Sequence, residues 1–267
     1  MHLKRWITAV VGIPVLIFLI GAGPRWVFHS VLCVSSLIGL LEFYSLTSAR
    51  LPKSVWWFNC FLTFLLFVAV YMRQVLLLPV IVSLWAFVPM TLFMISRSSP
   101  DRTSTEDIGK ALLGPVYVGL PLAVLVLIDL YPHGNIWIFF LLTVIFSNDT
   151  GAFYFGRHLG RHKLHKVVSP GKTWEGAIGG LVSAFIAGLL FLRMVRLHPL
   201  DLKTVILILA LAITSQIGDL VESMIKRAHG VKDSGRILPG HGGILDRIDG
   251  LLFAIPVLFV YLILVIE

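Results

Sequence analysis

The sequence predicts an all-α, polytopic integral membrane protein with about nine transmembrane helices and a cytosolic N-terminus. Three observations predict it: an apolar composition, a regular series of long apolar runs, and a lopsided distribution of basic residues between them. The 267 residues are 57% hydrophobic and only 13% charged, with a mean hydropathy of +0.92. A water-soluble domain carries roughly 25% charged residues. Half that charge cannot cover a soluble surface, so lipid is the solvent for much of the chain.

Runs of roughly 17–25 apolar residues cross a bilayer as helices, because only there are the backbone groups satisfied internally. Nine such runs lie near 6–22, 27–46, 55–72, 75–95, 111–130, 136–156, 175–193, 203–225 and 249–266. With the N-terminus in the cytosol, the far side holds only Arg25, Arg73, Arg193, Arg196 and Lys203, and the other 17 of the 22 Lys and Arg face the cytosol. That is the positive-inside pattern, and an eight- or ten-span count would spoil it. The first run follows Lys4-Arg5 but is long for a cleaved signal peptide, so it reads as a retained span.

The formal net charge of +8 sits in short loops between apolar runs. Anionic lipid head groups and phosphate substrates fit such loops, and no basic domain exists to carry nucleic acid. Cys33 and Cys60 lie inside apolar runs and read as small buried hydrophobes, with no metal-type spacing and no disulfide framework.

The chain divides into N-terminal membrane helices (1–110), a connecting transmembrane helix (111–135) and a C-terminal catalytic membrane region (136–267) with a dense polar stretch at 223–249. Glu42 is the exceptional polar residue of the early spans, and snorkelling or a local hydrogen bond accounts for it. Pro14, Pro79, Pro89, Pro115 and Pro121 are kinks that neighbouring helices can tolerate. The polar loop 96–110 has room for a short interfacial helix. Gly176, Gly180, Ala184 and Gly188 recur every four residues, a stripe that lets another helix approach closely.

Chemistry concentrates in the eighth span and beyond. Ser215, Asp219, Glu222, Ser223 and Lys226 share one helical face. Asp219 lies about two turns inside the apolar run, where ionisable groups normally face a protein interior or a watered cavity. Asp246 and Asp249, three apart as the ninth span begins, share a face as well. With Asp219 they form an all-oxygen set suited to Mg²⁺, one or two ions, rather than zinc. Gly242 and Gly243 admit close backbone approach, and Lys226, Arg227, Lys232 and Arg247 supply charge for phosphate oxygens. Asn148 and Asp149, near the end of the sixth span, fit either a helix-packing hydrogen bond or a place in the active site.

The run from Ser223 to Asp249 resembles the signature of the phosphatidate cytidylyltransferase (CDP-diacylglycerol synthase) family. Ser223, Lys226-Arg227, Lys232-Asp233, Pro239, His241-Gly242-Gly243, Asp246-Arg247 and Asp249 stand at every fixed position of that pattern. Asn148-Asp149-Thr150-Gly151-Ala152-Phe153 and Ser169-Pro170-Gly171-Lys172-Thr173-Trp174-Glu175-Gly176 also look like family segments. The resemblance covers about 145–250. It implies transfer of a cytidylyl group from CTP to phosphatidic acid, giving CDP-diacylglycerol and pyrophosphate for phospholipid biosynthesis. It implies catalytic roles for Asp219, Lys226, Asp246 and Asp249. It implies substrate contacts for Asn148, Asp149, Ser169, Lys172, Ser223, Arg227, Lys232, Asp233, His241, Gly242, Gly243 and Arg247. The implied place is a bacterial cytoplasmic membrane, with the active site on the cytosolic side among membrane lipids. The apolar early spans leave surface on which a second copy could form a homodimer.

Gly171-Lys172-Thr173 imitates the end of a P-loop, but Lys166 stands where that motif needs Gly, and no strand is expected before it. His158, His162 and His165 read as a solvated basic face. Two rival functions fit less well. A CDP-alcohol phosphotransferase would need a different run of carboxylates after Asp149-Thr150-Gly151-Ala152, and a transporter would spread its polar residues to both sides and often carry repeat symmetry.

Sidedness is directly testable. With cysteine placed at Lys163 or Lys232, a membrane-impermeant thiol reagent should label neither position in intact cells and both in inverted vesicles. Labelling of both from outside intact cells would reverse the orientation.

Overall fold

The computed structural model describes residues 12, 14–47, 51–96, 102–235, 237 and 242–266. Among the described residues, eight helices are long and apolar enough to cross a membrane. They coincide with the second to ninth predicted spans. Of the first predicted span, 6–22, residues 6–11 and 13 lie outside the described residues. The chain separates into two compact units, one made of Met1–Leu127 with Asp233–Arg247, the other of Ile128–Lys232 with Ile248–Glu267.

The first unit contains α1 (Arg25–Thr47), α2 (Lys53–Tyr71), a 3₁₀ turn (Val75–Leu77) leading into α3 (Leu78–Ser96), and α4 (Arg102–Gly114). A π-helical turn, Pro115–Gly119, then joins α4 to α5 (Leu120–Asp129), whose end passes into the second unit. The short helix expected in the loop 96–110 is therefore the start of a span, which runs unbroken over Thr105–Asp129. That span is the most enclosed of the eight at 67% buried, whereas the α3 span is 17% buried and turns Phe87, Met90, Met94 and Ile95 outward. On such outward faces a hydroxyl needs a partner on its own helix. Ser83 donates to the Pro79 carbonyl and Thr91 to the Phe87 carbonyl, each at 2.8 Å.

Pro115 explains the centre of this unit. It has no N–H to give the carbonyl one turn back, that of Ala111, and at membrane depth an unsatisfied carbonyl costs several kcal/mol, of the order of ~2–7. Two donors from other helices take it up. The Tyr44 hydroxyl donates at 2.7 Å and the Asn59 amide at 3.0 Å, and the same amide also donates to the Tyr44 oxygen at 2.7 Å. All of these groups are buried. The irregular turn and the polar pair thus form one device binding α1, α2 and α4.

The second unit contains α6 (Gly134–Leu159), a hairpin of β1 (Lys163–His165) and β2 (Ser169–Thr173), α7 (Trp174–Val195), α8 (Leu202–Ala228), and the larger part of α9 (Leu245–Tyr261). The hairpin pairs Lys163 with Thr173 and His165 with Ser169. The sequence reading expected no strand here. The two strands are short and polar, without the alternation that marks a half-buried sheet. The glycine stripe performs as expected. A Cβ on Gly176 would come within 2.8 Å of the Ala152 carbonyl, and one on Gly180 within 2.8 Å of the Asn148 carbonyl, so α7 lies directly against α6.

The starts of α7 and α8 are capped by side chains. Thr173 accepts from the Gly176 N–H at 3.1 Å, and Asp201 accepts from the Thr204 N–H at 2.9 Å. The Thr204 backbone N–H and hydroxyl hold the Asp201 carboxyl below its ordinary range. This cap is therefore complete at neutral pH and is lost only as acid takes the pH down through that depressed value.

The Tyr44–Asn59–Ala111 cluster makes a quantitative prediction. Tyr44→Phe and Asn59→Ala should each destabilise the detergent-extracted protein by about 1–3 kcal/mol. In a double-mutant cycle the two should be strongly non-additive, because they share one acceptor. Unfolding midpoints near wild type for both would remove the cluster from the account of stability.

Candidate active site

The hairpin and α8 bring the first pair of charged groups together. β2 carries Lys172, and its ammonium meets the Asp219 carboxylate of α8 at 2.6 Å. Two turns along α8, Lys226 pairs with Glu222 at 2.5 Å, with Glu222 almost wholly buried. Asp219 and Lys226 share a face of α8, and each has its own partner. Asp149 of α6 and Asp249 of α9 complete the group. Asp149 interacts electrostatically with Asp219 and Lys172, and Asp249 with Asp219, Lys226 and Asp149. Among the described residues, Asp149, Asp219 and Asp249 thus interact with one another and with Lys172 and Lys226.

A polar latch lies beside this group. Asn148 is fully buried, donates to the Ala212 carbonyl at 3.3 Å, and accepts from the Gln216 amide at 2.8 Å. Gln216 also donates to the Ala177 carbonyl at 3.0 Å. The latch ties α6, α7 and α8 next to Asp149 and Asp219. Of the two roles open to Asn148, the geometry supplies packing. Close approach also positions Asp249: a Cβ on Gly218 would come within 2.6 Å of its carbonyl, and one on Gly250 within 2.6 Å of the Ser215 hydroxyl. Glycine at these two places lets α8 and α9 touch.

The hairpin has an outer face as well. An open pocket of about 530 Å³ is lined by Arg161, His162, Lys163, Lys166 and Trp174. Glu175 fixes its floor, accepting from the Arg161 N–H at 3.1 Å and meeting His162 Nδ1 at 2.6 Å. His165 accepts from the Val168 N–H at 3.1 Å. His158 lies in the last turn of α6 rather than in a loop, and it, His162 and His165 are exposed. Ser169 pairs across the hairpin. Ser223 is half-buried on α8, and Arg227 donates to the Val231 carbonyl at 3.3 Å, closing the end of its own helix. Lys232 is exposed.

The remaining signature residues belong to the first unit. Asp246 accepts from the Ser234 N–H at 3.0 Å and the Gly243 N–H at 2.8 Å. Gly242 has φ +82, a conformation that L side chains rarely adopt, and a Cβ there would also meet the Asp246 carboxylate. Asp233 and Arg247 are exposed. Pro239 and His241 lie outside the described residues. Of the three carboxylates expected to share a metal ion, Asp219 and Asp249 lie in the second unit and Asp246 in the first. Among the described residues, no group of three or more His, Cys, Asp or Glu is arranged as a metal site.

Three residues of consequence escaped the sequence reading as site residues. Gln216 and Glu222 sit on the same face of α8 as Asp219, and that periodicity was the available signal. Glu42 is buried and accepts hydrogen bonds from the signature segment.

The sequence profile of the cytidylyltransferase family matches residues 3–265. The phosphatidate cytidylyltransferase of Staphylococcus saprophyticus is 44% identical over 165 residues, 62% of this chain and 63% of its own length. That of Staphylococcus epidermidis is 39% identical over 185 residues, covering 68% and 70%. That of Bacillus subtilis is 41% identical over 155 residues, covering 58% of each. The alignments with the first and last of these span under two thirds of the relative.

The Lys172–Asp219 pair is partly exposed, so it contributes only about 0–1 kcal/mol to stability. Lys172→Ala should leave the thermal midpoint of the extracted protein nearly unchanged while weakening binding of a nucleoside triphosphate about 10- to 100-fold. A lowered midpoint with intact binding would make the pair structural.

Proposed function

We infer from one premise, that the chain belongs to the cytidylyltransferase family, that it transfers a cytidylyl group from CTP to phosphatidic acid, giving CDP-diacylglycerol and pyrophosphate. The observation that carries this reading is the family match over residues 3–265, which takes in the complete 223–249 signature. The relatives' names and the mixed acid–base site support it. Neither the CDP-alcohol phosphotransferase nor the transporter reading is favoured beside that membership.

A phosphate oxygen of phosphatidic acid attacks the α-phosphorus of CTP, the bond to the β-phosphate oxygen breaks, and pyrophosphate leaves. A phosphate monoester has its second pKa near ~6, so the nucleophile is largely dianionic at neutral pH and needs no dedicated base. What the protein must supply is cationic charge and alignment for two polyanions. Lys172 and Lys226 are the central cations. Each is paired with a carboxylate, Asp219 and Glu222 respectively. Arg227, Lys232 and Arg247 supply further charge around the same substrates.

What supports a divalent ion is the chemistry of the donors, carboxylate oxygens that interact electrostatically with one another. Asp219 and Asp249 would hold Mg²⁺, with Asp149 beside them. The ion would screen the phosphates and stabilise the leaving pyrophosphate. Asp246 belongs to the same expected set, and it also accepts from its own loop's N–H groups. Placement in a bacterial cytoplasmic membrane with the site facing the cytosol, lipid partners and a homodimer belong to the same proposal. Its support is the basic-residue asymmetry, the bacterial origin of the relatives, and the basic pocket beside exposed Trp174, an arrangement typical of a membrane interface.

The test is direct. Membranes containing the protein, given labelled CTP and phosphatidic acid, should form labelled lipid and pyrophosphate, and chelation should stop both. Asp249→Asn should abolish turnover with normal membrane insertion. Consumption of CDP-diacylglycerol, or no labelled lipid at all, would overturn the assignment.

A further inference from the structure

We propose that Glu42, on a helix remote in sequence from the signature, is a positioning residue for the reaction: its buried carboxylate holds the Ser234 hydroxyl and the Ile244 and Leu245 amides. The inference rests on the cytidylyltransferase reading for its consequence, though not for its geometry.

Glu42 lies in α1, and its side chain is buried within the first unit. One oxygen accepts from the Ile244 N–H at 3.1 Å, the other from the Leu245 N–H at 2.9 Å and the Ser234 hydroxyl at 3.4 Å. The Gly243 N–H goes to Asp246 instead. Three successive amides, 243 to 245, therefore end on two carboxylates. These amides open α9, where N–H groups have no partner within the helix and the backbone dipole favours negative charge. Glu42 provides from another helix what a cap residue ordinarily provides locally.

The surrounding segment is shaped to admit that carboxylate. A Cβ added to Gly235 would collide with Glu42 Oε1, and one added to Gly243 with the Ser234 hydroxyl and, at 2.5 Å, Glu42 Oε2. Two glycines thus leave room for the two oxygens. Ser234 links the two acids, giving its N–H to Asp246 and its hydroxyl to Glu42. Displacing Glu42 therefore disturbs Gly242-Gly243 and Asp246 together. Snorkelling does not describe this residue.

Three readouts test the proposal on the full-length protein in lipid nanodiscs. Glu42→Gln keeps one acceptor but turns an NH₂ toward a backbone N–H. Gly235→Ala keeps the charge and pushes the carboxylate aside. Both should lower kcat by about 10- to 100-fold, the loss expected for a charge-assisted contact. KM for CTP should change less than threefold, and the loss in kcat should persist in assays run well below each variant's lowered thermal midpoint. Hydrogen exchange at the Ile244 and Leu245 amides should accelerate in both variants. Glu42→Asp, which keeps the charge but shortens the reach, should fall between wild type and Gln. Wild-type kcat in both Gln and Ala variants, or unchanged exchange at the two amides, would overturn the proposal. So would a fall in thermal midpoint that accounts for all lost activity. If the wild-type protein shows no cytidylyl transfer, the functional reading fails, while amide exchange still decides whether Glu42 holds the segment.

Discussion

Charge and bare backbone polarity cannot be left unmatched at membrane depth, and that constraint organises both units. In the second unit Lys172 answers Asp219 and Lys226 answers Glu222. In the first, Glu42 is answered by backbone N–H groups, and the Ala111 carbonyl by Tyr44 and Asn59. The apolar helices set the scale of the molecule, but apolar contact between helices in lipid gains little over contact with lipid itself. Specific positions come from the polar matches. Where the match is buried, as at Glu42 and the Ala111 carbonyl, one substitution leaves a group without a partner, the costly half of the hydrogen-bond asymmetry.

The spans were legible because the bilayer imposes a length and an apolar content that single residues cannot disguise. The signature was legible because its residues are close in sequence and chemically unusual. Other features carry no such mark. Glu42 is recognised by main-chain amides, which any residue possesses, so nothing in the sequence of residues 244 and 245 announces the contact. The Lys172–Asp219 pair joins two segments whose separation gives no register. The hairpin is too short and too polar for a periodic signal, and it was read as loop. Pro115 was visible, but the donors that compensate for it come from two other helices.

A signature that is continuous in sequence is not one structural piece. Residues 223–232 and 248–249 belong to the second unit, while 233–247 belong to the first. The carboxylates of the pattern accordingly have different surroundings. Asp249 interacts electrostatically with Asp219, whereas Asp246 accepts main-chain N–H groups within its own loop.

The contact between Glu42 and Leu245 joins residues 203 apart. At about 5–20 residues per second, a ribosome takes roughly 10–40 s to cover that distance. During that interval α1 is already made while the amides that its carboxylate requires do not yet exist. Until they arrive, that carboxylate lacks the partners it has in the finished fold. Insertion of the first helices and completion of the last are thus coupled through one side chain. A chain that stops before residue 234 would carry an unmatched acid in its second predicted span, a mark by which quality-control proteases could tell it from the finished protein.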